Sequence, residues 1–409
     1  MAKAKPKSKS SSISFWLVIG VVVGLAAVAF LMFYKLGSIM PGITVSEKAF
    51  YNAPLGWHGI YKDPLNLPMN ILWSLVFKLM SPVGIFLLRA PAALTGGLTI
   101  IAFYALLQLW YGTRTAVFGS ILFATSAWTL HVSRIADYNV EYLAAIVFFM
   151  LSTAILQKRY ESKYTYWLIN LAWSLLLYVP GMVILIAYNL YRQRKEVAFG
   201  MTKQTSLLAK SAYVVSGLIW IPLLLRFFIR APKNVLLWLG LPSSYDSPLH
   251  IIKEFGSVFY HIFARGPLLP GLWLGRMPLL DIFGIITALV GIYFYITHIK
   301  ATRTHLLFVS FIVGVVLIAL GGAVTISFVI PIIYVFVAAG VAYLLSQWLS
   351  IFPENPVARS MGYILISLAV AASVIYNVRS YFVAWPHNTT SVSVFDVNDK
   401  DWRLSLHSK

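Results

Sequence analysis

Long apolar runs separated by short polar segments make up most of the chain. The first run covers about 13–36, after a terminus rich in lysine and serine. Ten more runs follow, at about 84–110, 115–131, 140–157, 165–178, 181–192, 211–228, 279–297, 305–322, 327–348 and 360–377. An α-helix needs roughly 20 apolar residues to cross the hydrocarbon core of a bilayer. The pattern therefore predicts an all-α polytopic membrane protein with about eleven transmembrane helices.

Two further apolar segments are too short to span a membrane. Asn70–Met80 lies in the predicted first outer loop, 38–83. His250–Phe263, in the large outer loop 229–278, carries apolar residues at helical spacing. We expect an interfacial helix in each of these loops.

Basic residues mark one side of the predicted bundle. Four lysines occupy the terminus 1–12, and the most basic loop, Arg192–Lys210, falls on the same side. Because cytoplasmic loops of membrane proteins carry excess lysine and arginine, we predict a cytoplasmic N-terminus in the plasma membrane. We expect a single multi-pass domain over 1–378 and an extracytoplasmic tail over 379–409.

Composition agrees with a membrane protein and limits its partners. Hydrophobic residues make up 59% of the chain and charged residues only 11%, whereas soluble domains carry about 25% charged residues. The formal charge of +19 is explained by the positive-inside bias and by attraction to anionic lipids, so we expect no nucleic-acid partner. The chain has no cysteine, which excludes thiol catalysis and disulfides.

The 13 acidic residues are scarce inside the predicted spans, which argues against a carboxylate relay across the bilayer. Five of them lie at the predicted outer boundary, where they suit chemistry at the membrane surface: Glu47, Asp63, Asp137, Glu141 and Asp281. The simpler interpretations are a solvated loop charge for Glu47 and a helix N-cap for Asp137.

Several cations break the positive-inside pattern near the predicted outer face, among them Arg89 and Arg134. Guanidinium groups bind oxyanions bidentately, so these cations indicate an anionic ligand, although an arginine at a helix end also commonly snorkels. The eight histidines show no metal-ligand spacing. The sequence requires no cofactor and leaves the use of a divalent metal open.

Six short motifs occur in a recognisable order. They are SEKA (Ser46–Ala49), DPLNLP (Asp63–Pro68), LRAPAAL (Leu88–Leu94), YGTRTA (Tyr111–Ala116), ATSAW (Ala124–Trp128) and SRIADYN (Ser133–Asn139). This order resembles that of the GT-C membrane glycosyltransferases, specifically the family 39-like protein O-mannosyltransferases and lipid A aminoarabinose transferases. The resemblance is best over about 40–150. It departs in the first loop, where the family often has two adjacent acids and this chain has Ser46 before Glu47.

The resemblance implies an enzyme that transfers a sugar from a polyprenyl-phosphate donor on the outer face to a lipid, protein or glycan acceptor. It implies Glu47 as the general base and Asp137 as a second acidic group. It implies donor or phosphate contacts from the nearby polar residues Arg89, Arg134, Asp63 and Lys62. Because Ser46 replaces an acid, Asp63 or Asp137 is an alternative base.

Two other functions fit the same helices. A transporter or lipid flippase would have broken helices near the membrane midplane or paired intramembrane charges. A non-catalytic scaffold would not need acids at the boundary. A transferase instead requires Glu47 and Asp137 to converge on one site.

Overall fold

The computed structural model describes residues 15–40, 42–51, 57–80, 84–159, 163–203, 206–218 and 221–395. Every regular element in these ranges is a helix, which confirms the predicted all-α class. The basic terminus 1–12 and the last part of the predicted tail, 396–409, lie outside the described residues.

Twenty α-helices follow one another along the described chain. They are α1 (Phe15–Phe33), α2 (Val45–Tyr51), α3 (Trp57–Lys62), α4 (Leu67–Leu79), α5 (Ile85–Tyr111), α6 (Thr113–Thr125), α7 (Ala127–Arg134), α8 (Asn139–Arg159), α9 (Lys163–Leu176), α10 (Met182–Arg192), α11 (Arg194–Thr202), α12 (Leu207–Leu218), α13 (Ile221–Arg230), α14 (Lys233–Trp238), α15 (Pro248–Phe263), α16 (Ile282–Thr297), α17 (Thr302–Ala319), α18 (Ile330–Ile351), α19 (Pro356–Arg379) and α20 (Thr389–Val394). Two 3₁₀ turns (Pro270–Leu272 and Ile326–Phe328) and a π-helical turn (Ser380–Ala384) complete them.

Fewer helices reach membrane length than the eleven expected. Within the described residues, six are long and apolar enough to cross a membrane, or seven if the bent pair α6 and α7 is one span. The others correspond to α1, which has 19 residues, and to the shorter helices α9, α10 and α16. A helix of 11 to 16 residues covers about 16–24 Å, less than the roughly 30 Å hydrocarbon core. Apolar runs in the sequence include turns, so they overestimate helix length.

Both predicted amphipathic helices form, as α4 and α15. α4 packs on α5, and the Trp73 indole Nε1–H donates to the Leu88 carbonyl at 2.9 Å. α15 packs along α17 and buries Val258 and Ile262. The first loop also contains α2 and α3, which the apolar pattern did not predict.

The core is built around α8 and α18, the two most deeply buried of the membrane-length helices. α18 crosses α16 at two glycines. A Cβ added at Gly340 would lie 1.8 Å from the Thr287 carbonyl oxygen, and one at Gly291 would lie 1.9 Å from that of Phe336. Small residues at such crossings let two helix backbones approach closely, which is a common way to pack helices in membranes.

A break of 60° separates α6 from α7. At the break, the backbone N–H of Ala127 donates to Asn377 Oδ1 of α19 at 3.3 Å. α7 then continues to Arg134, so residues 131–134 are buried helix, whereas we expected them to lie in a loop. The connecting loop is therefore only 135–138. The broken helix is the kind of feature expected of a transporter, but here it carries α7 towards the loop that holds Asp137.

The first part of the predicted polar tail is packed into the protein. After α19, the aromatic side chains of Tyr381, Trp385 and Phe395 are all buried. Trp385 donates through Nε1 to the carbonyl of Trp273, in the segment that follows α15. The C-terminal residues up to 395 thus close one end of the bundle, together with the segments before α5 and α16. We call this end the loop end.

We predict that Gly340→Ala lowers the thermal unfolding midpoint of the detergent-solubilised protein. The added methyl would collide with backbone, so α16 and α18 must separate, at a cost of about 1–3 kcal/mol. Gly256→Ala is the matched control, because a Cβ at Gly256 in α15 meets no atom within 4 Å. Equal midpoints for Gly340→Ala and the unmodified protein would contradict the tight crossing.

Candidate functional site

A capping box begins α2 and fixes Glu47. The Thr44 hydroxyl accepts from the Glu47 backbone N–H at 3.1 Å, and Glu47 Oε2 accepts from the Thr44 backbone N–H at 3.0 Å. This reciprocal pairing is the signature of Thr-x-x-Glu at a helix start. The Thr-x-x-Glu spacing of Thr44 and Glu47 is visible in the sequence and is the signal that could have predicted this cap.

Glu47 is bound on its other sides by Arg89 of α5. Arg89 Nε donates to Oε1 at 2.7 Å, and Nη2 donates to Oε2 at 2.9 Å, which makes the pair bidentate. The Ala136 backbone N–H donates to Oε1 at 3.1 Å. With the Thr44 contact, each carboxylate oxygen accepts two hydrogen bonds, so the four lone-pair sites of Glu47 are filled. Its side chain has no exposed surface.

The two predicted outer arginines both bind backbone. Arg89 also donates to the carbonyls of Leu36 and Gly42, at 3.3 and 3.1 Å. Arg134 donates to Leu31 and Tyr34, the carbonyls at the C-terminal end of α1, and its guanidinium lies 4.8 Å from the centre of the Phe382 ring. Arg134 therefore pairs carbonyls that the end of α1 leaves free, and Arg89 pairs carbonyls in the segment between α1 and α2.

Asp137 lies in the loop 135–138, one residue after the Ala136 N–H that binds Glu47. Its Oδ2 accepts from Asn139 Nδ2 at 2.9 Å. A Cβ built on Gly271 would lie 2.5 Å from Asp137 Oδ2 and 3.1 Å from Ser46 Oγ. Ser46, Asp137 and Gly271 thus meet at one point, beside the start of α2. Glu47 and Asp137 lie in the same region, because the N–H of Ala136, the residue before Asp137, donates to Glu47.

The environment of Asp137 differs from that of Glu47. Burial raises the pKa of the Asp137 carboxyl from its ordinary 3.8 to about 6. The N–H groups of Tyr138 and Asn139 oppose this rise, and the charge of Glu47 adds to it. No salt bridge joins Asp137 to a cation among the described residues. Asp137 is therefore a carboxylate close to its titration point at neutral pH, as a general base needs to be.

Lys62 and Asp63 lie at the end of α3, on the surface. Asp63 Oδ1 accepts from the Leu65 backbone N–H at 3.1 Å, and the Lys62 carbonyl accepts from Arg230 Nη1 at 3.3 Å. Arg226 stacks on the Tyr61 ring at 3.4 Å from its centre. Together Lys62, Arg226 and Arg230 form what we call the surface cation cluster. The described residues include no acid in salt-bridge contact with it.

Hydrogen bonds join the segment after α3 to Tyr138, the residue that follows Asp137. The Tyr138 hydroxyl donates to Asn70 Oδ1 at 2.7 Å, and Asn70 Nδ2 donates to the Leu65 carbonyl at 2.8 Å. Tyr138 follows Asp137, and Leu65 lies two residues after Asp63. The start of α4 therefore couples the two regions.

The remaining boundary acids lie elsewhere. Asp281 caps α16, accepting from the Gly284 N–H at 2.7 Å and from Asn377 Nδ2 at 3.0 Å. Glu141 is buried in the first turn of α8. The described part of the chain contains no group of three or more metal-binding side chains.

Two solved structures share this architecture. The chain is similar to ArnT from Cupriavidus metallidurans bound to undecaprenyl phosphate, with a TM-score of 0.53 and 14% identity over 94% of this chain and 78% of that one. It is also similar to the oligosaccharyltransferase AglB from Archaeoglobus fulgidus in complex with an inhibitory peptide and a dolichol-phosphate. There the TM-score is 0.53 and the identity 14%, over 90% of this chain and 56% of that one. Both neighbours are GT-C fold members.

The chain has the GT-C fold. No protein-family model and no curated protein matches the sequence. The apolar helices and the membrane-protein neighbours identify a polytopic membrane protein. Within the GT-C fold, the sequence motifs over about 40–150 correspond to α2 through α8, which hold the converging carboxylates. Gly271 and Thr325 were not predicted as site residues, because only tertiary packing brings Gly271 to Asp137 and Thr325 to Asn139. Asn139, two residues after Asp137, was included in the SRIADYN motif but was not predicted as a site residue.

We predict that Glu47→Gln lowers the stability of the folded protein. The substitution keeps the shape of the side chain but leaves the buried Arg89 guanidinium without its counter-charge, which costs about 3–5 kcal/mol. The measurement is the thermal unfolding midpoint in detergent. Asp246→Asn is the control, since the Asp246 side chain is 73% exposed. An unchanged midpoint for Glu47→Gln would refute the anchoring role of the pair.

Proposed function

We propose that this protein is a membrane glycosyltransferase, which moves a sugar from a polyprenyl-phosphate-linked donor to the hydroxyl of an acceptor. Two observations support this proposal. The fold is that of ArnT, whose structure holds undecaprenyl phosphate. The observation that carries the proposal is the Asp137 carboxylate, which lies beside the α2 capping box and has no cationic partner among the described residues.

Asp137 acts as the general base. As the new glycosidic C–O bond forms, Asp137 takes the proton of the acceptor hydroxyl, and the bond between the sugar and the phosphate oxygen breaks. The electron pair leaves with the polyprenyl phosphate. Glu47 suits this role less well, because all four of its acceptor positions are filled. Glu47 and Arg89 instead hold the backbone on both sides of the site.

The surface cation cluster receives the phosphate of the donor. Lys62 and Arg230 are exposed. A guanidinium can bind two oxygens of one phosphate at the same time. Positive charge near the leaving phosphate stabilises the charge that develops as the bond breaks. Arg134 is committed to the carbonyls of α1, so it contributes to the site by holding α7 rather than by binding phosphate.

The loop end faces the extracytoplasmic side in this proposal. The Asn66 N–H donates to the Tyr178 carbonyl at 2.9 Å, so the start of α10 lies beside the first loop. The basic segment from Arg192 begins at the opposite end of α10. Because basic segments remain in the cytoplasm, the active site lies on the other side, and the N-terminus is cytoplasmic.

We predict that Asp137→Asn abolishes sugar transfer, because an amide cannot accept the proton of the acceptor. The measurement is mass spectrometry of surface glycans and lipids from cells that express the unmodified protein, the variant or neither. Asp63→Asn tests the alternative base, and Asp246→Asn is the exposed control. Products that persist in Asp137→Asn and vanish in Asp63→Asn would move the base to Asp63.

We predict that Lys62→Gln and Arg230→Gln each weaken binding of undecaprenyl phosphate by about tenfold, since a charge-assisted hydrogen bond contributes about 1.5–3 kcal/mol. Native mass spectrometry in detergent measures the binding, and undecaprenol, which lacks the phosphate, gives the background. Lys253→Gln on α15 is the matched control for loss of one exposed cation. Equal weakening by all three variants would contradict a specific phosphate site.

A further inference from the structure

Asn139, the first residue of α8, lies between Asp137 and the segment that leads into α18. Its side chain is 6% exposed. On one side, Nδ2 donates to Asp137 Oδ2 at 2.9 Å. On the other side, Oδ1 accepts from the Thr325 hydroxyl at 2.6 Å and from the Ser327 hydroxyl at 3.4 Å. Both Nδ2 and Oδ1 of the Asn139 amide therefore have hydrogen-bond partners.

These contacts select one orientation of the amide. If it were reversed, Oδ1 would face a carboxylate oxygen, and two acceptors would be in contact at hydrogen-bond distance. That arrangement is unfavourable while Asp137 is ionised. The Thr325 and Ser327 hydroxyls donate to the correctly oriented oxygen and polarise the amide, which strengthens the bond that Nδ2 gives to Asp137.

The segment that carries Thr325 is itself held against α8. The Tyr142 hydroxyl, one turn further along α8, donates to the Ala323 carbonyl at 2.9 Å. Thr325 precedes the 3₁₀ turn Ile326–Phe328, in which Ser327 is fully buried. The Thr325 and Ser327 hydroxyls therefore lie on a packed segment just before α18, which holds them in place against the Asn139 side chain.

We infer that Asn139, oriented by Thr325 and Ser327, is a positioning residue that keeps the Asp137 carboxylate ionised and directed towards the site beside Ser46 and Gly271. The inference rests on the proposed function for its consequence in catalysis, but the hydrogen-bond relay itself does not. It makes the entry to α18 part of the catalytic apparatus, although neither Thr325 nor Ser327 touches the reacting groups.

Few other groups that titrate face Asp137. Glu47, on α2, is the charged group that acts on it, and Glu47 is matched by Arg89. Tyr138 and Tyr142, at the start of α8, also interact with Asp137. Phenols ordinarily ionise near pH 10, and burial raises the pKa of Tyr138 further. The Gly271 segment and the Thr325 segment present uncharged groups. Asp137 is therefore the group that titrates near pH 6, and the hydrogen bond from Asn139 acts on its ionisation.

The test is a pH titration of the full-length protein in detergent by infrared difference spectroscopy. The band of interest is the protonated-carboxyl stretch that is absent in Asp137→Asn. In Asn139→Leu, loss of a hydrogen bond to the charged form should raise the midpoint by about one unit. Thr325→Val should also raise the midpoint, but by a smaller amount. If Asn139→Leu does not fold, the midpoint of Thr325→Val tests the inference.

Asn170→Leu is the matched control, because Asn170 binds the Tyr213 carbonyl and the Ser216 hydroxyl between α9 and α12, away from Asp137. Its midpoint should equal that of the unmodified protein. Unshifted midpoints in both Asn139→Leu and Thr325→Val would overturn the inference.

The second readout is the pH profile of sugar transfer in the same variants. The acid limb should move to higher pH with the infrared midpoint, since only the ionised base accepts the proton. A shifted midpoint with transfer retained in Asp137→Asn would refute Asp137 as the base and leave the relay standing. An unshifted midpoint with transfer lost in Asp137→Asn would refute the relay and leave the base standing.

Discussion

The buried ion pair between Glu47 and Arg89 is the interaction on which the loop end of the bundle depends. It joins α2 to α5, and through the Ala136 N–H it reaches the loop before α8. Arg89 also binds the carbonyls of Leu36 and Gly42, which follow α1. Removal of either partner would leave an unpaired charge without water, so the four segments are obliged to meet in one geometry.

A second acid, Asp137, lies beside this anchored pair. Glu47 absorbs the arginine and two backbone donors, whereas Asp137, one residue beyond the anchored Ala136, receives help only from neutral donors. Burial without a cationic partner among the described residues raises the pKa of the Asp137 carboxyl. Two acids that lie close together thus have different surroundings: Glu47 is held by Arg89 and by backbone N–H groups, whereas Asp137 has only neutral donors.

The cations divide in a similar way. Arg89 and Arg134 are buried and bind backbone at helix ends, so their charge is used within the protein. The surface cation cluster stands apart on α3 and α13, where Lys62 and Arg230 are exposed. Hydrogen bonds from Tyr138 to Asn70 and from Asn70 to the Leu65 carbonyl join the residue after Asp137 to the segment after α3. In the proposed function, the cluster binds the donor phosphate and Asp137 takes the acceptor proton.

The sequence by itself determined the all-helical membrane class and the helices in the two outer loops, because hydrophobic runs are local signals. It also selected Glu47 and Asp137 as candidate site residues, because charges are scarce, and their roles stay predictions. Tertiary structure decided the rest. Helix lengths depended on turns inside apolar runs, and the separate parts taken by Glu47 and Asp137 depended on which donors reached each carboxylate. Thr325 lies 186 positions after Asn139, and only packing brings Thr325 and Gly271 to the pair that Asn139 forms with Asp137.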